Sequence, residues 1–156
     1  MKKKIEILAP AKNLTQGIAA INSGADAVYI GAPLYGARSN ATNSVEDIAE
    51  LVKYAHLYNA QVFVVINTIL YDNELEPCRQ LIWKLYDIGV DALIIQDMAI
   101  MEMELPPIVL HASTQTNNRD ADKIKFLADA GIKRVVLARE LNLHQIKEIS
   151  EASDVE

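Results

Sequence analysis

The stretch Ile-Val-Leu-His-Ala-Ser-Thr-Gln, residues 108–115, indicates the fold more directly than any other part of the chain. Three apolar residues run into His111, and small or polar side chains follow it. A buried parallel strand has this pattern where it emerges at the carboxyl edge of its sheet. The stretch therefore predicts a strand that carries His111 to a functional face.

Two other stretches repeat this plan on either side of it. Residues 92–95 lead into Gln96 and Asp97, and residues 134–137 lead into Ala138, Arg139 and Glu140. The carboxyl ends of parallel strands meet at one edge of a sheet, and neighbouring strands lie about 4.8 Å apart. The sequence therefore predicts that His111, Asp97 and Glu140 converge as the titratable groups of a catalytic site.

Strands and helices alternate along the whole chain. Short apolar runs in which β-branched residues recur predict strands at 5–9, 27–30, 62–66, 92–95, 108–110 and 134–137. Amphipathic segments between them predict helices that begin near Asn13, Ser44, Glu74, Arg119 and Leu143, and a short helix within 98–105. Such alternation predicts an α/β fold with a parallel sheet and right-handed crossovers.

A weak internal repeat supports this prediction. Gly24, Gly89 and Gly131 each stand between the end of a helical segment and the start of a strand. Glycine is favoured there because it adopts the positive φ that ends a helix without steric cost. We therefore expect three equivalent helix–glycine–strand turns.

The number of units favours part of a TIM-like (β/α) barrel. About six β/α units are present, whereas a closed barrel has eight. Residues 153–156 look like a loop that enters another strand. Residues 1–156 are therefore expected to be the amino-terminal portion of a barrel catalytic domain, truncated before the seventh strand and completed by the rest of the same polypeptide. Open sheet edges would then favour self-association. The alternative is a doubly wound sheet, but no Gly-x-Gly-x-x-Gly follows the first strand.

Each predicted catalytic residue also has a structural explanation. His111 can act as a general base, an oxyanion donor or a metal ligand, or it can be a buried histidine bonded to a neighbouring strand. Asp97 can instead cap the helix that follows it. Glu140 can instead pair with Arg139 or Arg119. The residues alone leave these alternatives open.

Five further side chains are candidates for substrate binding. Ser113 and Gln115 follow His111 and offer hydroxyl and amide hydrogen bonds, and Asn67 ends the third strand. Arg38 lies in a long loop after the second strand and can grip a carboxylate or phosphate, and Arg139 offers a second cation. No lysine is predicted to close a strand, which argues against a Schiff-base aldolase. No metal-ligand set is predicted.

Bulk composition excludes several classes of protein. The chain has 156 residues, about half of them apolar, which is typical of a globular domain. One cysteine, Cys78, excludes an internal disulfide. No apolar run approaches the roughly 20 residues that span a bilayer, and no signal peptide is recognised, so a cytoplasmic protein is expected. The net charge of −6 argues against a broad electrostatic surface for nucleic acid, although Lys133, Arg134 and Arg139 lie close in sequence.

With these residues in view, the chain resembles the collagenase-like peptidases, the thirty-second peptidase family of unknown catalytic type. The matching stretches occur in order along nearly the whole chain. They are Leu-Ala-Pro-Ala at 8–11, Gly-Ala-Asp-Ala-Val-Tyr-Ile-Gly at 24–31, Tyr-Gly-Ala-Arg at 35–38, Asn-Thr at 67–68, Gln-Asp at 96–97, His-Ala-Ser-Thr-Gln at 111–115 and Arg-Val-Val-Leu-Ala-Arg-Glu-Leu at 134–141.

The resemblance implies a TIM-like barrel and two competing functions. The first is peptide-bond hydrolysis by the completed barrel, with a peptide as substrate. The alternative is a factor for tRNA uridine or quinone hydroxylation, with RNA as a partner in the first case and with an iron–sulfur cluster supplied by the missing carboxyl-terminal part. The cysteine-bearing signature of the family is absent from this chain, so the cofactor remains unknown at this point.

Overall fold

The computed structural model of the chain describes residues 5–36 and 43–156. It contains strands β1 (Leu8–Ala11), β2 (Ala27–Gly31), β3 (Gln61–Ile66), β4 (Ala92–Ile95), β5 (Val109–Ala112) and β6 (Arg134–Val135). The α-helices are α1 (Leu14–Asn22), α2 (Val45–Leu57), α3 (Asp72–Asp87), α4 (Ala121–Asp129) and α5 (Leu143–Ala152). Two 3₁₀ helices, Met98–Glu102 and Thr114–Thr116, follow β4 and β5.

The six strands form one sheet in which every neighbouring pair is parallel and the spatial order follows the sequence order. A doubly wound sheet instead reverses its strand order at a switch point. The sequential order is that of a (β/α) barrel, and the sheet curls into half of one, with helices on its outer face. The predicted α/β, TIM-like fold is confirmed.

The turns between helices and strands are also as predicted. Gly24, Gly89 and Gly131 have φ of +96°, +87° and +111°. Each follows a helix and directly precedes the segment that leads into the next strand. Since this region of φ carries a steric cost for side chains with a Cβ, glycine fixes the chain direction at the amino edge of the sheet.

The predicted position of the first strand is wrong by three residues at its start. The sequence placed it at 5–9, a short run with the β-branched residues Ile5 and Ile7, but the strand is Leu8–Ala11 and both isoleucines are exposed. Pro10, which normally argues against a strand, is tolerated because β1 has a neighbour on one side only among the described strands. The error matters, because Lys12 then follows the end of β1 directly.

The sheet buries its two faces differently. The outer face packs on the helices in a large cluster that includes Val28, Ile48 and Ile82. The concave inner face holds a small cluster of Ala27, Phe63, Ala92 and Ile94, with Leu8, Tyr29 and Val65 packed against it. Residues two apart on a strand share a face. By this period His111 on β5 and Arg134 on β6 also lie on the inner face.

Residue Glu156 continues the sheet beyond β6. Its backbone N–H donates to the carbonyl oxygen of Lys133 over 3.3 Å, and its carbonyl oxygen accepts from the N–H of Val135. These are the two hydrogen bonds of a parallel bridge opposite Arg134. The expectation that the segment at 153–156 leads into a seventh strand stays a prediction.

Candidate functional site

Three side chains contact one another on the concave face. The rings of His111 and Phe63 meet edge to face with 4.9 Å between their centroids. The guanidinium carbon of Arg134 lies 5.2 Å from the centroid of Phe63. His111 is also the register partner of Ile94 on β4 and of Arg134 on β6. His111 therefore faces the interior of the half-barrel, one pleat below the carboxyl ends of the strands.

Burial keeps His111 neutral. The residue is 5% exposed, and its Nδ1 atom has no hydrogen-bond partner. Desolvation, followed by the positive charge of Arg134, lowers the pKa of His111 to about 4, against a smaller opposing effect of Glu156. A neutral imidazole can accept or donate a hydrogen bond, but at neutral pH it is a weaker base than an exposed histidine.

This burial predicts a pH dependence of folding stability. Between pH 6.5 and about 4 the unfolded chain binds a proton at His111 that the folded chain does not bind. The free energy of unfolding is therefore expected to fall by about 3 kcal/mol as the pH falls through this window. Urea unfolding across the window measures it. A His111→Gln variant should lose that dependence, whereas His144→Gln, which removes an exposed histidine, should keep it. Equal slopes in all three proteins would contradict the prediction.

Arg134, which lies beside His111 on the neighbouring strand, is the centre of a charge cluster. It donates two hydrogen bonds to the carboxylate of Glu6, at 2.8 and 3.1 Å, and one to Glu156 at 2.8 Å. Burial opposes the charge of Arg134, but the bonds to Glu6 and Glu156 outweigh it and raise the pKa of the guanidinium. Glu6 precedes β1 and Glu156 follows β6, so the cluster joins the two ends of the described sheet.

Asp97 caps the helix that follows it, which is the structural explanation that the sequence offered. One carboxylate oxygen accepts from the N–H of Ala99, as an N-cap of the 3₁₀ helix Met98–Glu102, and the other accepts from the N–H of Leu70, both over 2.9 Å. The carboxylate thus ties the end of β4 to the loop after β3. Its catalytic role remains a prediction, and its cap role is directly visible.

Glu140 and Arg139 lie in an exposed turn after β6. Glu140 approaches Arg119 at 3.5 Å, and the side chains are 66% and 53% exposed. An ion pair this exposed contributes at most about 1 kcal/mol. Within the described residues the predicted trio therefore occupies three different environments, in which His111 is buried, Asp97 caps a helix and Glu140 faces solvent.

The loop after β5 is held by Asn118, which the sequence analysis did not single out. Asn118 is fully buried, and its side-chain amide donates to the carbonyl oxygens of Ser113 and Val136, at 2.8 and 2.9 Å. Ser113 is also buried, and its hydroxyl accepts from the N–H of Gln115 at 3.2 Å, as a helix cap. Gln115 itself is exposed. The predicted substrate roles of Ser113 and Gln115 remain predictions.

Asn67 lies at the carboxyl rim, where it was expected. Its backbone N–H donates to the carbonyl oxygen of Tyr35 at 3.0 Å, and the hydroxyl of Thr68 approaches the same oxygen at 3.3 Å. These bonds fasten the loop after β2 to the loop after β3. Arg38, the other candidate from the loop after β2, lies outside the described residues.

Two polar residues at this rim were not recognised as ligand candidates. Gln96 stands two residues after Ile94, so the period of the strand places it on the concave side, one pleat above His111. Lys12 follows β1 directly and is exposed, which corrects the prediction that no lysine closes a strand. The misplaced first strand hid Lys12, and the period of β4 was the available signal for Gln96.

The single cysteine has a structural role. Cys78 is fully buried on α3, and desolvation raises the pKa of its thiol to about 11. A protonated, enclosed thiol is a poor nucleophile and a poor metal ligand. Within 5–36 and 43–156 no three His, Cys, Asp or Glu residues group so that they could hold a metal ion. None of the helices in these ranges is long and apolar enough to cross a membrane.

Comparison with known protein families identifies the family to which the chain belongs. The sequence profile of Peptidase family U32 matches residues 12–156, nearly the whole chain. The chain belongs to family U32. A solved structure of a U32 peptidase superposes on all of the chain and 69% of its own length, with a TM-score of 0.77 at 13% identity. At that identity the superposition shows the shared U32 fold alone.

Three curated relatives of this U32 chain differ in what their names describe. A 23S rRNA 5-hydroxycytidine synthase of Escherichia coli is 58% identical, over 97% of this chain and 23% of its own length. A tRNA hydroxylation protein of Bacillus subtilis is 38% identical, over 99% and 37%. An uncharacterized protease of Methanocaldococcus jannaschii is 40% identical, over 97% and 37%. This U32 chain thus spans between about a quarter and two fifths of these relatives.

Proposed function

We propose that the chain is part of an enzyme that hydroxylates a pyrimidine base of RNA. The observation that carries this proposal is the 58% identity, over 97% of the chain, to a 23S rRNA 5-hydroxycytidine synthase. The tRNA hydroxylation protein, at 38% identity, supports the same class of reaction. The alternative that the family resemblance offered is therefore preferred over peptide hydrolysis.

The side chains of the half-barrel suit binding and orientation of a base. Gln96 and Lys12 follow β4 and β1 at the carboxyl rim, where an amide and an ammonium group would meet a ligand. Amides hydrogen-bond to the edges of bases, and TIM-like barrels carry their sites at this rim. Peptide hydrolysis could use Ser113 or Cys78 as a nucleophile. The hydroxyl of Ser113 is engaged in a helix cap, and Cys78 lies in the hydrophobic core.

The residues of this chain do not fit an iron–sulfur cluster. Such clusters are held by several cysteine thiolates, and the sequence has one cysteine, Cys78, which is buried with a raised pKa. Replacing a C–H bond of the base by C–OH removes two electrons from it, so an oxidant is required. We assign that chemistry to groups outside residues 1–156 and derive no step through a cluster here.

The proposal predicts the loss of one modified nucleoside when the gene is deleted. Ribosomal and transfer RNA from the deletion strain, digested and analysed by mass spectrometry, should lack a single hydroxylated pyrimidine that is present in the parent strain. A plasmid that carries the intact gene should restore it. An unchanged set of hydroxylated nucleosides in the deletion strain would contradict the proposal.

Peptide hydrolysis remains the second candidate, because one relative of 40% identity carries the name of a protease. Under this alternative, His111 and a carboxylate would handle protons at the barrel mouth. The purified full-length protein, supplied with divalent metals, would then degrade gelatin or a peptide library. Intact substrates after prolonged incubation would remove this alternative.

A further inference from the structure

A strained turn lies at the carboxyl rim, in the loop after β2. Leu34 has φ of +72°, and the N–H of Tyr35 donates to the carbonyl oxygen of Pro33 over 3.0 Å. This is a γ-turn of the positive-φ kind, which is rare and strained for a residue other than glycine. Leu34 is 89% exposed, so burial of its side chain does not offset the strain. Backbone strain that the surroundings maintain is concentrated at functional sites.

The neighbouring loop fixes this turn in place. The carbonyl oxygen of Tyr35 accepts hydrogen bonds from the N–H of Asn67 and the hydroxyl of Thr68, while the ring of Tyr35 is buried. The next residues of that loop carry two more exposed apolar side chains, Ile69 at 70% and Tyr71 at 73%. We call Leu34, Ile69 and Tyr71 the rim patch. Exposed apolar side chains grouped at one edge mark an interaction site.

Two polar residues, Gln96 and Lys12, lie on opposite sides of the rim patch. Gln96 lies on the adjacent strand end and is half-buried. Lys12 lies on the opposite side of the loop after β2, and Asn43 joins the carbonyl oxygens of Lys12 and Gly31 at 3.1 and 3.2 Å. These bonds hold the ends of β1 and β2 together, so Lys12 is positioned beside the strained loop.

We propose that the rim patch, together with Gln96 and Lys12, binds one unpaired nucleotide of RNA. The base stacks on Tyr71, the amide of Gln96 hydrogen-bonds to the edge of the base, and Lys12 contacts a backbone phosphate. Single-stranded RNA is recognised by aromatic stacking, edge hydrogen bonds and cationic contacts of this kind. This inference rests on the proposed RNA hydroxylation and names the residues that would hold the substrate.

Charge fixes the orientation of the nucleotide. Asp72 and Glu74 follow Tyr71 at the start of α3, which makes that end of the rim unfavourable for a phosphate. The neutral base is therefore placed at Tyr71 and the phosphate at Lys12. Stacking on Tyr71 together with the cationic contact of Lys12 would let a chain with a net charge of −6 hold a nucleotide without a broad basic surface.

The test is binding of fluorescently labelled oligocytidylate and oligouridylate to the full-length protein. Tyr71→Ala is expected to weaken binding about tenfold, a typical loss for one stacked base, and Tyr71→Trp should retain binding. Tyr58→Ala is the matched control, because Tyr58 is 59% exposed but follows α2 at the amino edge of the sheet. Lys12→Gln should lower the slope of log affinity against log salt by about 0.7, whereas Lys53→Gln, on the outer face of α2, should not.

The possible outcomes separate this inference from the proposed function. Loss of binding in Tyr71→Ala but not in Tyr58→Ala, at equal melting temperatures, supports both. Unchanged RNA binding in all variants, together with loss of a hydroxylated nucleoside in the deletion strain, overturns the rim site and leaves the proposed function standing. Absence of RNA binding and of any nucleoside change overturns both. Binding of gelatin that depends on Tyr71, without RNA binding, assigns the rim to a polypeptide and also overturns the inference.

Discussion

Replacing Asn118 with leucine is expected to lower the free energy of unfolding by about 3 kcal/mol. Leucine has a similar volume but cannot donate to the carbonyl oxygens of Ser113 and Val136 or accept from the hydroxyl of Thr116. The carbonyl oxygen of Ser113 keeps the N–H and hydroxyl of Thr116 as donors, but that of Val136 loses its side-chain donor, and a buried carbonyl left unpaired costs roughly 1–3 kcal/mol. Because these carbonyls belong to the chain just after β5 and β6, the loop that follows His111 should also lose its fixed position.

The neighbouring residue provides the control for this change. Asn117 is exposed and has φ of +58°, a region that glycine adopts readily. Asn117→Gly should therefore change the stability by less than about 1 kcal/mol. Urea denaturation of both variants measures the difference. Similar small losses in the two proteins would show that the hydrogen bonds of Asn118 contribute little.

Replacing Arg134 with methionine is expected to cost about 3 kcal/mol of stability. The change keeps most of the apolar stem but leaves the carboxylates of Glu6 and Glu156 facing each other without a cation. Breaking a buried charge pair by removing one partner typically costs 3–5 kcal/mol. The lower end applies because Arg134 is 16% exposed and Glu156 is 59% exposed, so water screens part of the repulsion.

A second arginine in the chain allows a matched comparison. Arg79 pairs with Glu76 over 2.8 Å along α3, with side chains that are 32% and 57% exposed. Arg79→Met should cost less than about 1 kcal/mol, as exposed pairs do. In an Arg134→Met background, the further change Glu6→Gln should recover part of the loss, because it removes one of the two unpaired carboxylates. No recovery would indicate that Arg134 acts through packing on Phe63 instead.

The sequence located the strand ends at which the candidate side chains lie, but it did not give the hydrogen-bond partners of those side chains. His111, Asp97 and Asn67 all lie at or next to strand ends, as expected from apolar runs that stop at polar residues. Their partners could not be predicted, because hydrogen bonds such as Asp97 to Leu70 span 27 residues of sequence. Asn118 was missed for the same reason. A buried asparagine in a loop has the same local pattern as an exposed one.

Patterns among neighbouring residues of the sequence were sufficient to predict the fold class. The alternation of apolar runs and amphipathic segments, with Gly24, Gly89 and Gly131 between them, indicates parallel β/α units, because hydrophobic period and backbone φ are properties of neighbouring residues. The tertiary structure alone decided the surroundings of the candidate side chains. Curling of the sheet placed Glu6 and Glu156, which are far apart in the chain, against Arg134. It buried His111 enough to keep it neutral and left Tyr71, Gln96 and Lys12 at the open rim. The burial of a side chain and the charge around it depend on residues from distant parts of the chain, so a local sequence pattern cannot predict them.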